Sequence, residues 1–226
     1  MKIPVATYRL QFHPGFTFEQ ARRITGYLSA LGVSDIYASP VFQARPGSLH
    51  GYDIVDQGRI NDELGGDAAL RALIEQTRRD RLGWLQDIVP NHMAYDGGNR
   101  MLMDLFEHGP ASAHAGFFDI DWDHPDEGLR GRLLAPFLDR LYRDALIDGA
   151  MQLRYDERGY SIQYAAFRFP LKIESYATVL APGLPAIEER LGAEHPDYVK
   201  LLGAVHTVKR LSPAEAPRER AEQAGF

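Results

Sequence analysis

LGWLQDIVPNHM, residues Leu82 to Met93, is the stretch that decides the fold. Leu82 to Val89 is short and apolar, and it runs directly into Pro90-Asn91-His92. Proline cannot continue a sheet ladder, so a buried strand ends here and delivers polar side chains to the loop beyond it. Upstream, Leu70, Leu73, Ile74 and Thr77 predict an amphipathic helix capped by Asp67. A long loop precedes that helix, and before the loop Val33 to Ala38 predicts a second strand stopped by Ser39-Pro40. Further back, Thr17 and Gln20 have the spacing of a capping box, opening a helix with Ile24, Tyr27, Leu28 and Leu31 on one face and Gly32 at its close. The first strand, Val5 to Phe12, ends at His13-Pro14-Gly15. Two successive strand–helix–strand crossovers imply parallel pairing, as in a barrel or a doubly wound sheet.

Downstream of His92 the pattern changes. Asn99 to His108 predicts a short helix ended by Gly109, and Leu129 to Leu146 a longer one with Leu133, Leu134, Phe137, Leu138 and Leu141 on one face. Met151 to Tyr155 and Tyr160 to Tyr164 flank Asp156-Glu157-Arg158-Gly159, a hairpin signal. From Pro196 to Phe226 the propensity is mostly helical.

A length of 226 residues suffices to bury a substantial core. The net charge of −6 excludes a binder driven by the nucleic-acid backbone, which needs a basic face. With no cysteine there is no disulfide framework, thiolate nucleophile or cysteine zinc site. No stretch approaches the roughly 18 apolar residues of a membrane span, and Met1-Lys2-Ile3-Pro4 lacks the apolar segment of a secretory signal. The expectation is a cytoplasmic protein with no membrane or nucleic-acid partner.

Four stretches carry a resemblance: Thr7-Tyr8-Arg9-Leu10-Gln11, Tyr37-Ala38-Ser39-Pro40, Gly47-Ser48-Leu49-His50-Gly51-Tyr52-Asp53, and Asp87-Ile88-Val89-Pro90-Asn91-His92-Met93. The last resembles the first signature region of α-amylase-type (β/α)8 barrels. Together with Phe117-Phe118-Asp119-Ile120-Asp121-Trp122, the set resembles the maltooligosyl trehalose synthases of glycoside hydrolase family 13. The resemblance implies an α/β fold: a partial (β/α)8 TIM barrel of three βα units, residues 1–93, with residues 94–226 as a mixed α/β subdomain inserted after strand three and leading toward a fourth strand. It also implies a maltooligosaccharide substrate, no cofactor, and intramolecular transglycosylation from an α-1,4 to an α,α-1,1 link in trehalose biosynthesis. An α-amylase-type glucan hydrolase and a non-catalytic carbohydrate-binding piece are the alternatives.

The predicted strand ends bring these polar residues to one rim, where barrels of this kind hold their sites. By resemblance, His92 donates to a sugar hydroxyl, Asp87 and Asn91 fix the loop, Tyr52 stacks on a glucose ring, and His50 and Asp53 neighbour it. Arg9 and Gln11 complete the substrate-binding set. The residues by themselves leave plainer readings open: turn capping for Asp87, Asn91, His92 and Asp53, a core role for Tyr52, and an internal ion pair for Arg9. Asp119-Ile120-Asp121-Trp122-Asp123 invites a calcium reading but lacks the Gly and bidentate Glu of a cation loop, so no metal is predicted and a strand with carboxylates on one face is expected. Tyr155, Tyr160, Tyr164 and Tyr176 read as packing rather than as a sugar groove.

Retaining glycosidase chemistry needs two carboxyl groups across the anomeric centre. The resemblance implies that the nucleophile stands in an Arg-x-Asp-His stretch, which does not occur in the sequence. No catalytic residue is therefore predicted before Phe226. The chain is expected to be the N-terminal part of a longer enzyme, inactive by itself, with open sheet edges that await the rest of the barrel or associate with one another.

Overall fold

In the computed structural model, which describes residues 3–211, the first half of the chain runs β1 (Thr7–Leu10), α1 (Phe18–Ala30), β2 (Asp35–Ala38), β3 (Phe42–Ala44), β4 (Ile54–Ile60), α2 (Gly66–Arg79) and β5 (Gly83–Gln86). Strands β1, β2 and β5 form a parallel sheet in that order, joined by the two expected helical crossovers. Each strand spans four residues, shorter than its apolar run.

The core lies between one face of this sheet and the two helices. Leu10, Ile36 and Ala38 from the strands pack with Phe18, Ala21 and Leu28 of α1 and Leu73 of α2. Phe12, just past β1, is 1% exposed; its ring meets Phe18 edge-on at 5.0 Å and stacks near Phe16 and Trp84 at 6.2 and 6.3 Å. Burying such a ring removes far more apolar surface from water than any single aliphatic contact.

Local signals are met at α1: the Thr17 N–H donates to Gln20 Oε1 at 2.7 Å, and the capping box forms. The inward face differs from the expected one. Phe18, Ala21, Thr25 and Leu28 are buried, whereas Tyr27 and Leu31 are exposed. Successive helical residues are rotated by about 100°, so Tyr27 falls off the stripe that ends at Leu28. Helix α2 starts after Gly65, which takes φ 108°, and Asp67 lies inside the first turn, pairing with Arg71 at 2.5 Å instead of capping.

The predicted long loop contains an antiparallel ribbon, β3 with β4, irregular in register on both sides of Gln43. Residues 94–100, expected with the second half, belong to the first. The Ala94 N–H donates to the Ile54 carbonyl at 2.7 Å, and Arg45 holds Asp96 at 3.0 Å. Among the described residues, the chain divides into two compact units, with the boundary between Arg100 and Met101.

The second half contains α3 (Arg100–His108), α4 (Tyr142–Ile147), β6 (Met151–Asp156), β7 (Gly159–Tyr164), β8 (Phe167–Pro170), α5 (Tyr176–Leu180), α6 (Leu184–Leu191) and α7 (Pro196–Arg210). The expected hairpin forms with Asp156 facing Gly159, and β8 extends it to three antiparallel strands. Gly159, at φ 92°, is required: a Cβ there would stand 2.1 Å from the Tyr176 hydroxyl, which accepts the Tyr160 N–H. Tyr155, Tyr160 and Tyr176 pack ring on ring at 4.7 and 4.9 Å.

The long helix expected over 129–146 does not form; only α4 is helical. Gly131 takes φ 67°, and Pro136 lacks the N–H that a helix interior needs, so the leucine spacing is overruled. Residues 119–123 are irregular rather than a strand, with the Asp123 N–H turned back to Asp121 Oδ1. Of the predicted C-terminal helical region, residues 212–226 lie outside the described residues. No helix among the described residues is long and apolar enough to cross a membrane.

Phe12→Ala is expected to destabilise the first unit by about 3–5 kcal/mol, measured by urea denaturation followed through Trp84 emission. A loss below about 1 kcal/mol would place the ring outside the core.

Candidate functional site

Side chains alternate across a strand, so the sheet has two chemically different faces. Opposite the core, the register sets Arg9 of β1 beside Tyr37 of β2 and Tyr37 beside Leu85 of β5. Asp87 follows two residues after Leu85 and shares its face; its N–H donates to the Ala38 carbonyl at 2.9 Å. The strand ends are laced further by the Ser39 hydroxyl, which accepts the Phe12 N–H at 2.8 Å, and by Gln86, whose amide donates to the Ser39 carbonyl at 3.1 Å.

Arg9, Tyr37, Tyr52 and Asp87 meet on this face. Arg9 donates to Asp87 Oδ2 at 3.2 Å, to the Tyr52 hydroxyl at 2.9 Å and to Gln11 Oε1 at 3.2 Å. The hydroxyls of Tyr52 and Tyr37 both donate to the same Asp87 oxygen, the latter at 3.3 Å. The Arg9 guanidinium also lies 4.7 Å from the centre of the Tyr37 ring. Sequence reasoning missed Tyr37 as a site residue, although it stands in one of the quoted stretches; only the register reveals that it faces Arg9.

Tyr52 reaches the cluster because its loop is tethered. Gln11 donates from Nε2 to the carbonyls of His50 at 3.0 Å and Leu49 at 3.4 Å, so Gln11 holds backbone. Gly51 takes φ 75°, and a Cβ there would lie 2.8 Å from the Pro40 carbonyl. The His50 ring accepts the Tyr52 N–H at Nδ1, 3.0 Å away, and its ring stacks against that of Tyr52 with centroids 6.0 Å apart. The Asp53 carboxylate accepts from the Ser48 hydroxyl and lies 3.8 Å from His50 Nδ1, which turns it into its own loop. Asn91 and His92 are exposed, with Asn91 Oδ1 and His92 Nδ1 3.1 Å apart. The structure thus joins Arg9, Gln11, Tyr52 and Asp87 in one network, and leaves Asp53 and the Asn91–His92 pair in separate local ones.

The electrostatics favour an ionised Asp87. Burial pushes its carboxyl up, but hydrogen bonds from Tyr52 and Arg9 outweigh burial and hold it below the ordinary carboxylate value. The hydrogen bond to Asp87, reinforced by burial, pushes the Tyr52 phenol above its ordinary value. For Arg9, burial lowers the guanidinium value, and the hydrogen bonds to Asp87 and Tyr52 reverse the sign. One cation and one anion cancel, so the cluster presents hydroxyls, an amide and aromatic rings without net charge. Such a surface suits a neutral polyhydroxylated ligand. Among the described residues, no group of three or more His, Asp or Glu side chains is placed to hold a metal.

The catalytic-domain family of the alpha-amylases matches residues 23–125. A putative maltooligosyl trehalose synthase of Mycobacterium tuberculosis is 40% identical over 146 residues, 61% of this chain and 19% of the relative. A solved maltooligosyl trehalose synthase superposes over 74% of this chain and 22% of its own, with a TM-score of 0.69 and 38% identity. That of Arthrobacter ramosus gives 0.65 and 37% over 75% of this chain and 21% of its own. This chain is a relative of the maltooligosyl trehalose synthases. It spans about a fifth of the length of the synthases it matches. The β1–β2–β5 sheet with its helices is part of a TIM-barrel-like fold.

Because the Asp87 carboxyl is held below its unfolded value, it contributes stability that is present above about pH 4, the unfolded carboxylate value, and is lost as pH falls through the lower folded one. Asp87→Asn is therefore expected to be less stable than the parent near neutrality and to converge with it in acid. The Tyr52 phenol should also titrate closer to its ordinary value in that variant. Parallel denaturation curves against pH, with an NMR titration of the Tyr52 ring, check both; an unmoved Tyr52 titration would remove Asp87 as its partner.

Proposed function

We propose that the chain supplies one wall of the glucan site of a maltooligosyl trehalose synthase. The observation that carries this reading is the Tyr52 hydroxyl held between Arg9 and Asp87 at the carboxyl ends of parallel strands, on a face with no net charge. Tyr52 is the platform for the apolar face of a glucose unit. Asp87 and Arg9 fix it, Gln11 and His50 hold its loop, and Asp53 stiffens that loop from within. Asn91 and His92 stand on the same rim and donate to sugar hydroxyls as the substrate arrives.

In the whole enzyme the terminal α-1,4 bond at the reducing end breaks as one carboxyl protonates the departing glucose oxygen, a carboxylate takes the glucan covalently, and the freed glucose attacks through its own anomeric hydroxyl, whose proton returns to the first carboxyl. That forms the α,α-1,1 bond and releases the carboxylate. Water kept from the intermediate is what separates this outcome from hydrolysis. Asp87 is unsuited to the acid/base role, because one of its oxygens already accepts three donors and its carboxyl is held below the ordinary value, whereas an acid needs a raised one. The nucleophile and the acid/base are assigned to carboxylates outside this cluster, so the chain by itself binds glucan without turnover. Residues 101–226 are read as the subdomain inserted after the third strand, and the exposed edges of β1 and β5 as the places where further strands pair. An acidic, cysteine-free composition fits a cytoplasmic enzyme.

The test is incubation with a defined maltooligosaccharide while reducing ends, free glucose and aromatic emission are followed together. Changed emission with constant reducing ends and no glucose is expected. Reducing ends lost without glucose would mean that the chain holds its own catalytic carboxylates, and glucose release would favour a hydrolase. An emission insensitive to sugar would sink the binding role. His92→Ala is expected to weaken binding about two- to fivefold, the value of one exposed hydrogen bond of roughly 0.5–1 kcal/mol; unchanged affinity would remove His92 from the site.

A further inference from the structure

Tyr37 has no sugar-facing role in the reading above, yet both groups that hold the Tyr52 hydroxyl rest on it. It sits mid-strand in β2, in register with Arg9 on one side and Leu85 on the other. Its ring lies against the Arg9 guanidinium at 4.7 Å, and its hydroxyl donates to Asp87 Oδ2 at 3.3 Å. The hydrogen bonds of Arg9 go to three different residues, Asp87, Gln11 and Tyr52, and its contact with Asp87 is through a single carboxylate oxygen. These hydrogen bonds hold the guanidinium by its edge, and the aromatic face supports it from the side that no hydrogen bond reaches.

We propose that Tyr37 is a positioning residue of the glucan site: its ring sets the plane of Arg9, its hydroxyl sets the rotation of the Asp87 carboxylate, and through both it determines where Tyr52 presents its ring. The proposal rests on the reading of Tyr52 as the sugar platform. It explains why a tyrosine, rather than an aliphatic strand-former, occupies the central strand at the one position that touches both ions.

Two variants separate the two parts. Tyr37→Phe keeps the ring and removes the hydroxyl, and Tyr37→Leu removes both. In the absence of sugar, exchange between the Arg9 guanidinium nitrogens, followed by NMR, should be as slow in Tyr37→Phe as in the parent and faster in Tyr37→Leu. An exchange rate unchanged in Tyr37→Leu, or raised equally in Tyr37→Phe, would overturn the part assigned to the ring. In Tyr37→Phe the Asp87 carboxylate loses one donor and grips the Tyr52 proton harder, so the Tyr52 phenol should titrate at higher pH than in the parent. An unmoved titration overturns the part assigned to the hydroxyl, and this measurement decides the matter if Tyr37→Leu does not fold. Affinity for maltopentaose should fall about threefold in Tyr37→Phe and about tenfold in Tyr37→Leu. If Arg9 and Tyr52 respond as stated while affinity does not, Tyr37 positions them and the platform reading of Tyr52 is the one that fails.

Discussion

The structure depends on the register of three parallel strands. Arg9 faces Tyr37 and Leu10 faces Ala38, so one residue along the chain separates the polar face from the buried one. A slip by a single residue would turn Arg9 toward Phe18 and Leu73 and bring Leu10 into water. The core therefore holds the site in place. Ile36 and Ala38, both fully buried, prevent β2 from moving, and Tyr37 between them has one orientation open to it.

The polar face is stable because its single ion pair is surrounded by donors. Asp87 keeps 15% of its side chain exposed and Arg9 keeps 35%, so neither loses all hydration. Two phenol hydroxyls then replace part of the water that Asp87 gives up. Removing one partner costs more than the pair is worth, since the other ion is left half-buried without a counter-charge. This asymmetry makes the four residues a unit whose members cannot be exchanged one at a time.

How much of this was legible in the sequence follows from the range of each signal. Apolar runs stopped by Pro40 and Pro90 reveal the strands, and Thr17 with Gln20 reveals a helix start, because those signals act within a few residues. Register is set by contacts among residues far apart in the chain, so Tyr37 could be read as a strand residue but not as the neighbour of Arg9. The ribbon of Phe42–Ala44 with Ile54–Ile60 escaped notice because one partner has three residues and the other is interrupted by Gly58. In the second half, the spacing of Leu133, Leu134, Leu138 and Leu141 resembles a helix face, but Gly131 and Pro136 act on the backbone directly and prevail. Of the candidate site, Arg9, Gln11 and Asp87, on or beside strands, were brought together with Tyr52 on its tethered loop, whereas Asp53 is held by Ser48 and Asn91 lies against His92.

The loop that carries Tyr52 is fastened at nearly every residue. Glu63 accepts the Gly47 N–H, the Ser48 hydroxyl bridges Asp53 and the Gly51 N–H, Gln11 holds the carbonyls of Leu49 and His50, and Gly51 lies against Pro40. Ordering a backbone residue costs about 1–2 kcal/mol in conformational entropy, and here that cost falls on folding. A ligand that reaches Tyr52 meets a preorganised surface and keeps its binding free energy for its own contacts. Association at this loop should accordingly be limited by diffusion and desolvation, with no slow step in which the chain first gathers itself around the ligand.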